Sequence, residues 1–330
     1  MAFGTLIGGF CQLAIQLPSL YRIGFRYRPQ LNIKDSGLIQ ILKLMLPATI
    51  GLSATQLNIF INTNFAASCA EGSVSWINYA FRLVQLPIGI FGVALSIAVL
   101  PLMAKQAANK EIDTMKETLV SSLTMVFALT LPATAGLILL AKPIIHLLFE
   151  HGVFTAADTI ATANTLVFYA IGLFAYSANK VLVPAFYALE KTRYPVIASF
   201  LAVGLNLIIV FFTIDHYQHL AIAFSTSCTM IINFLFLTVV LYHKLGGFSL
   251  RYLLAGLLKT GTATGAMVSA LLLLIPFCQQ WLDGTILRQI AGLFILISGA
   301  GLLYLLLLTA LKLPELHVVT SNIYSRTRRS

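Results

Sequence analysis

Charge is scarce in this sequence, and acid scarcer than base. Only 10% of the 330 residues are charged and only 11 are Asp or Glu, whereas soluble domains carry about 25% charged residues. That shortage excludes an ordinary solvated chain. Cysteine is sparse too: Cys11, Cys69, Cys228 and Cys278 are scattered and form no CxxC pair, so neither a disulfide framework nor a metal knuckle is signalled and all four read as packing thiols. Walker A, GxSxG and HExxH patterns are missing, which leaves no catalytic residue to name, no cofactor and no reading as an enzyme. The imidazoles of "HYQH" (His216 and His219) lie in a short loop without a third ligand nearby and do not read as a metal site.

What fills the chain instead is apolar. Hydrophobic residues make up 58% of it and its mean hydropathy is +0.90. Runs of about 20 apolar residues or more recur between short polar breaks, the pattern of helical spans rather than of an alternating barrel. About nine spans are expected, near 3–20, 39–67, 74–104, 118–148, 156–188, 195–213, 219–242, 250–277 and 286–311. The fold class that follows is an all-α polytopic membrane protein.

The net charge of +10 does not indicate nucleic acid, because its distribution is that of membrane topology. Arg22, Arg26, Arg28 and Lys34 follow the first span; Lys105, Lys110 and Lys116 the third; Lys191 and Arg193 the fifth; Lys244 and Arg251 the seventh; Arg326, Arg328 and Arg329 end the chain. Residues 68–73, 149–158, 214–219 and 279–284 contain no Lys or Arg. The basic segments are therefore expected in the cytoplasm, C-terminus included, and the others outside. The segment after Met1 has no basic n-region, so a cleaved signal peptide is not expected.

Proline recurs inside spans at Pro47, Pro87, Pro132 and Pro184. Each removes a backbone hydrogen bond and is expected to kink its helix, as in broken helices that line transport pathways. The small-xxx-small pair Gly261 and Gly265 predicts a close helix contact. The second to fifth spans exceed the length a membrane requires, so they must tilt or project.

Within this apolar background stands "NYAFRLVQLP" (78–87). Arg82 lies about eight residues, roughly 12 Å, inside its span, and a guanidinium there costs at least about 2.5–3.5 kcal/mol on insertion scales. No Asp or Glu occurs at mid-depth in any span to neutralise it. A bound anion would do so, and the planar guanidinium suits a phosphate. Lys180 lies similarly deep in the fifth span, whereas Lys142 and Lys259 are close enough to an interface to snorkel. Ser73, Ser75 and Asn78 precede Arg82, and Asn62, Thr63 and Asn206 add polar groups at membrane depth. Arg82, Lys180, Ser75, Asn78 and Asn62 are the candidate substrate-binding residues.

With these residues assembled, the chain resembles the MurJ (MviN) family of lipid II flippases. The resemblance rests on "LMLPATIGLSATQLNIFINT" (44–63), "EGSVSWINYAFRLVQLPIGIFGVALSIAVLP" (71–101), "LLFEHGVFTAADT" (147–159) and "KVLVPAFYALEKTRYPV" (180–196), in that order. It implies two six-helix lobes around a central cavity, followed by two extra helices. On that pattern residues 1–34 are the last helix of the first lobe with a basic loop, 35–245 the second lobe, 246–314 the extra helices and 315–330 a basic tail, and five helices of the first lobe have no counterpart. The partners implied are lipid II and membrane lipids, with cell-wall synthesis enzymes as further candidates and the first lobe expected either from a separately encoded chain or from a mispredicted start or split gene at Met1. Where the family motif has acidic neighbours of the arginine, this chain has Phe81 and Gln85, and where some members bind sodium through carboxylates it has Asn62 and Val210; sodium is not expected. Two other readings stand beside this one: an ion-coupled exporter of drugs or organic ions on the same fold, which would favour mid-membrane carboxylates, and a non-transporting scaffold that recruits cell-wall synthesis enzymes.

Overall fold

The computed structural model describes residues 2–22, 24, 35–282 and 284–312. Every expected apolar run falls on helix. In chain order these are α1 (Ala2–Arg22), α2 (Ser36–Ala67), α3 (Ser73–Pro87), a π-helical turn Ile88–Val93, α4 (Ala94–Ala108), α5 (Ile112–Leu139), α6 (Ala141–Phe149), α7 (Ala156–Ile171), α8 (Leu173–Ala188), α9 (Arg193–Tyr217), α10 (His219–Lys244), α11 (Leu250–Leu282) and α12 (Ile286–Ala310). Among the described residues, six helical segments are each long and apolar enough to cross a membrane, and α7 with α8, bent by 43° to each other, are long and apolar enough together; about nine had been expected, and α1 and α2 are not among the six. The expected basic loop at Arg26, Arg28 and Lys34 and the basic tail at 315–330 lie outside the described residues.

The chain divides into two compact units, Met1–Leu46 and Pro47–Ser330. The first contains α1, a helix that exposes Leu6, Phe10 and Ile15; Cys11 is exposed on it rather than packed. The second unit carries the buried core. Met103, Leu119, Leu123, Leu182, Phe186 and Leu237 join α4, α5, α8 and α10. Ala80, Val84, Ile145 and Leu166 join α3, α6 and α7. The α11–α12 pair packs on the α5–α6 span through Leu140, Met267, Leu271 and Leu296, and the buried Tyr304 hydroxyl donates to the Ala128 carbonyl at 2.5 Å.

The spans break at places other than the expected prolines. Helices α2, α5 and α8 run through Pro47, Pro132 and Pro184 without interruption. Of the four prolines, Pro87 alone coincides with a change of helix type, ending α3 where the π-helical turn begins. One break falls at Leu140, and its cause is Pro143: proline has no N–H to donate to Leu139 and its ring opposes that carbonyl, so the helix stops and restarts with Pro143 in the new first turn. The other falls at Gly172, whose Cα approaches α10 so closely that an added Cβ would lie 2.9 Å from Ser227 Cα. Ser227 Oγ donates to the Phe168 carbonyl at 2.6 Å, serving an acceptor on the last turn of α7 at the bend.

The expected contact at Gly261 and Gly265 is not made either; both face open space. The close approach on α11 occurs one turn earlier, at Gly256, where a Cβ would lie 2.5 Å from Thr124 Cγ2 of α5. Spacing finds small residues, but the rotational setting of the helix decides which of them meets a neighbour.

Candidate functional site

Helix α3 has two chemically opposed faces. Ser73, Ala80, Val84 and Pro87 are buried against the bundle. Ser75, Asn78, Arg82 and Gln85 are exposed, and at 100° per residue they fall within an arc of about 80°. Three of these four are the predicted Ser75, Asn78 and Arg82, so the structure gathers them into one stripe. Asn78 Nδ2 donates to the Val74 carbonyl of its own helix at 2.7 Å, which leaves its Oδ1 outward. Among the described residues the ion pairs are Lys116–Asp113 and His146–Glu150; none involves Arg82. A cation flanked by amides and a hydroxyl, on a helix of otherwise apolar span, needs a hydrated or ligand-bearing surface opposite it.

The rotational setting of that stripe is fixed from the first turn of α3. Thr155 and Asp158 form a capping box at the start of α7, with Asp158 Oδ2 accepting from Thr155 N at 2.8 Å and Oγ1 at 2.7 Å. The other oxygen, Oδ1, accepts from Trp76 Nε1 at 2.8 Å. Trp76 follows Ser75 and points about 100° around the helix from it, so this bond holds a side of α3 away from the stripe against α7 and leaves the stripe outward. His219 meets the same indole edge-on, with 4.8 Å between ring centroids, while His216 is exposed. The "HGVFTAADT" segment thus serves to position α3, a role visible beforehand only as the Thr-x-x-Asp spacing of a helix start.

Lys180 stands apart on α8. It is exposed, and no hydrogen bond or ion pair joins it to a described residue. Gly92 of the π-helical turn packs against Ser177, one turn before it. Lys259, expected to snorkel, donates to the Lys312 carbonyl just beyond the end of α12 at 3.2 Å.

Asn62 is placed differently from the stripe. It belongs to a polar knot in which the fully buried Asn206 donates to Asn58 Oδ1 at 2.5 Å and Asn62 Oδ1 at 2.7 Å, and accepts from Ser225 Oγ at 2.7 Å. Asn62 Nδ2 donates onward to Thr226 Oγ1 at 3.3 Å. Its amide joins α2, α9 and α10. Sequence reasoning had not singled out Asn58 and Ser225; the available signal was the i, i+4 pair Asn58 and Asn62 inside an apolar run. Val210 is buried with Ala66 and Ile222.

At the Lys/Arg-poor end of the second unit, Glu150 Oε2 accepts from His146 Nδ1 at 2.7 Å and Thr159 Oγ1 at 2.5 Å. The bond from His146, then that from Thr159, holds its carboxyl below the usual range, with Lys142 adding a smaller electrostatic contribution. Gln289 lies 3.0 Å from His146 Nε2 and donates to the Gly284 carbonyl, so α12 is tied to α6 there.

Long, broken apolar spans that carry an exposed polar stripe, whose guanidinium has no ion-pair partner among the described residues, define a polytopic membrane protein. An outward-facing multidrug resistance MATE family transporter of the MOP superfamily shares this fold, with a TM-score of 0.53 at 18% identity over 80% of this chain and 64% of that one. A structure titled lipid II flippase MurJ, inward closed conformation, matches with a TM-score of 0.66 at 25% identity over 94% of this chain and 59% of that one. The sequence model of the family described as Lipid II flippase MurJ matches residues 1–292, and the chain belongs to that family. A probable lipid II flippase MurJ of Buchnera aphidicola subsp. Acyrthosiphon pisum is 36% identical over 98% of this chain. The chain spans 63% of that relative's length.

Proposed function

We propose that this chain takes part in translocating the lipid-linked peptidoglycan precursor, lipid II, across the bacterial cytoplasmic membrane. The basic connections lie in the cytoplasm in this reading, with the C-terminus on the same side. The observation that carries the proposal is the exposed stripe Ser75, Asn78 and Arg82, whose cation has no carboxylate partner among the described residues.

A diphosphate supplies the missing charge. Arg82 holds it through paired N–H donors, Ser75 and Asn78 offer further hydrogen bonds along the same face, and Lys180 adds a second cation from α8. Moving such a headgroup through bare hydrocarbon would be prohibitive; a hydrated cavity removes most of that barrier while the polyprenyl tail stays in lipid. The stripe needs a facing surface, supplied by the same polypeptide or by another. Residues 35–245 act as one lobe of the cavity and 246–314 as two added helices packed on its side. The Asn58, Asn62 and Asn206 knot sets how α2 meets α9 and α10, and so shapes the cavity wall.

The test is complementation in cells depleted of their own flippase, with the chain expressed alone and with the first-lobe segment of a relative. Arg82→Ala removes charge-assisted hydrogen bonds worth about 1.5–3 kcal/mol, roughly 10- to 150-fold in binding, and should abolish rescue. Arg82→Lys keeps the charge without the fork and should retain part of it. Full rescue by Arg82→Ala would refute the reading in favour of a scaffold.

A further inference from the structure

A cleft of about 390 Å³ opens at the Lys/Arg-poor end of the second unit, floored by α6 and walled by α7 and α11. That volume is in the range of small-ligand sites. It shares no residue with the α3 stripe. Lys142, His146 and Glu150 follow one another along one face of α6 at i, i+4 and i+8, and all three line the cleft.

The charges in this cleft are only half used. Glu150 Oε2 takes both of that residue's hydrogen bonds, from His146 and Thr159, and Oε1 has no partner among the described residues. No described carboxylate lies within 4.0 Å of Lys142 Nζ. The cleft is therefore lined by an ammonium that makes no ion pair within 4.0 Å among the described residues and by a carboxylate with one unpartnered oxygen, eight residues apart, with the Gln279 amide on the α11 wall. Apart from His146 and Thr159, both bonded to Glu150, its remaining lining is apolar. Ile160, 50% exposed, and Ile275 line it, while Phe277 and Trp281 follow on α11 at 82% and 46% exposure. An exposed indole at the end of a span marks headgroup depth.

We propose that this cleft is a phospholipid headgroup site selective for phosphoethanolamine, with the phosphate on Lys142, the primary ammonium on Glu150 Oε1 and the acyl chains leaving along Ile160 and Ile275. Both charges of the site are matched only by a zwitterion. A phosphoglycerol headgroup would set neutral hydroxyls rather than a cation against Glu150 Oε1 and leave that carboxylate without the charge partner that an ammonium supplies. A quaternary choline headgroup has no N–H to donate to Oε1. The inference rests on the chain's residence in a membrane and not on the translocation reading, so either can fail without the other.

The experiment is native mass spectrometry of the detergent-purified 330-residue chain with equimolar phosphatidylethanolamine, phosphatidylglycerol and phosphatidylcholine of matched acyl chains, and a polyprenyl diphosphate in a parallel arm. The unaltered protein should retain phosphatidylethanolamine about tenfold over the other two phospholipids, the loss of one good polar contact. Lys142→Ala should lower that retention about tenfold, and Glu150→Gln should erase the discrimination against phosphatidylcholine. Equal retention of the three phospholipids, a preference that survives Lys142→Ala, or strongest retention of the diphosphate lipid would overturn the proposal. The headgroup series needs no variant, so a substitution that fails to fold leaves the test intact.

Discussion

Replacing Asn206 by Ala should destabilise the second unit by about 2–4 kcal/mol. The residue is fully buried and makes three hydrogen bonds, two donated and one accepted. Interhelical hydrogen bonds in membranes average about 0.6 kcal/mol, so three set a lower bound near 2 kcal/mol. The upper figure comes from the acceptors left behind. Asn58 Oδ1 and Asn62 Oδ1 would each lose a donor, at about 1–3 kcal/mol for a fully buried group, reduced here because both residues are only half-buried. Ser225 is spared, since its hydroxyl also donates to the Ile222 carbonyl at 3.0 Å. The assay is SDS-titrated unfolding of the reconstituted chain, run as a cycle with Asn58→Ala and Asn62→Ala. The three substitutions share one knot, so their effects should fall short of additive by about 1 kcal/mol or more. Replacing all three asparagines by Leu should recover much of the loss, because no polar group is then stranded. A loss under about 0.5 kcal/mol for Asn206→Ala, or strict additivity, would refute the reasoning.

Gly172→Ala forces a Cβ to within 2.9 Å of Ser227 Cα and should cost about 1–3 kcal/mol by driving α8 from α10, measured in the same unfolding titration; Gly261→Ala, in open space, should be tolerated. Trp76→Phe removes the 2.8 Å bond to Asp158 and should cost about 1 kcal/mol, while cross-linking between cysteines introduced on α3 and α7 should report a loosened α3. The Glu150 carboxyl is held below its usual range, so its contribution is fully present above the unfolded carboxylate pKa and is lost as pH falls through the folded one. Melting temperatures measured from pH 7 down to about 3 should fall less steeply for Glu150→Gln than for the unaltered chain.

Most of the fold was legible because hydropathy accumulates along the chain. A run such as 219–242 is apolar whatever surrounds it, and it became α10 (His219–Lys244). The site was legible in part for a related reason. Ser75, Asn78 and Arg82 share a helix, so their common face follows from 3.6 residues per turn. Asn62 and Asn206 were each visible as polar residues at depth, but their meeting was not, since they are 144 residues apart. Pro132 lies inside the uninterrupted α5, where neighbours can accommodate a proline, whereas Pro143, closer to the end of that apolar run, stands in the first turn after the break.

What the sequence determined by itself is therefore where the apolar helices lie, though not that six or seven rather than nine of them qualify as spans among the described residues, and the polar stripe of α3, both consequences of local composition and helical period. Tertiary structure decided the close approach at the Gly172 bend, which glycine admits a neighbour, Gly256 rather than Gly261, and that Asn62 meets Asn206. Those outcomes depend on how each helix is rotated against the next. Rotation is set by packing between residues distant in the chain, and no property of a single segment encodes it.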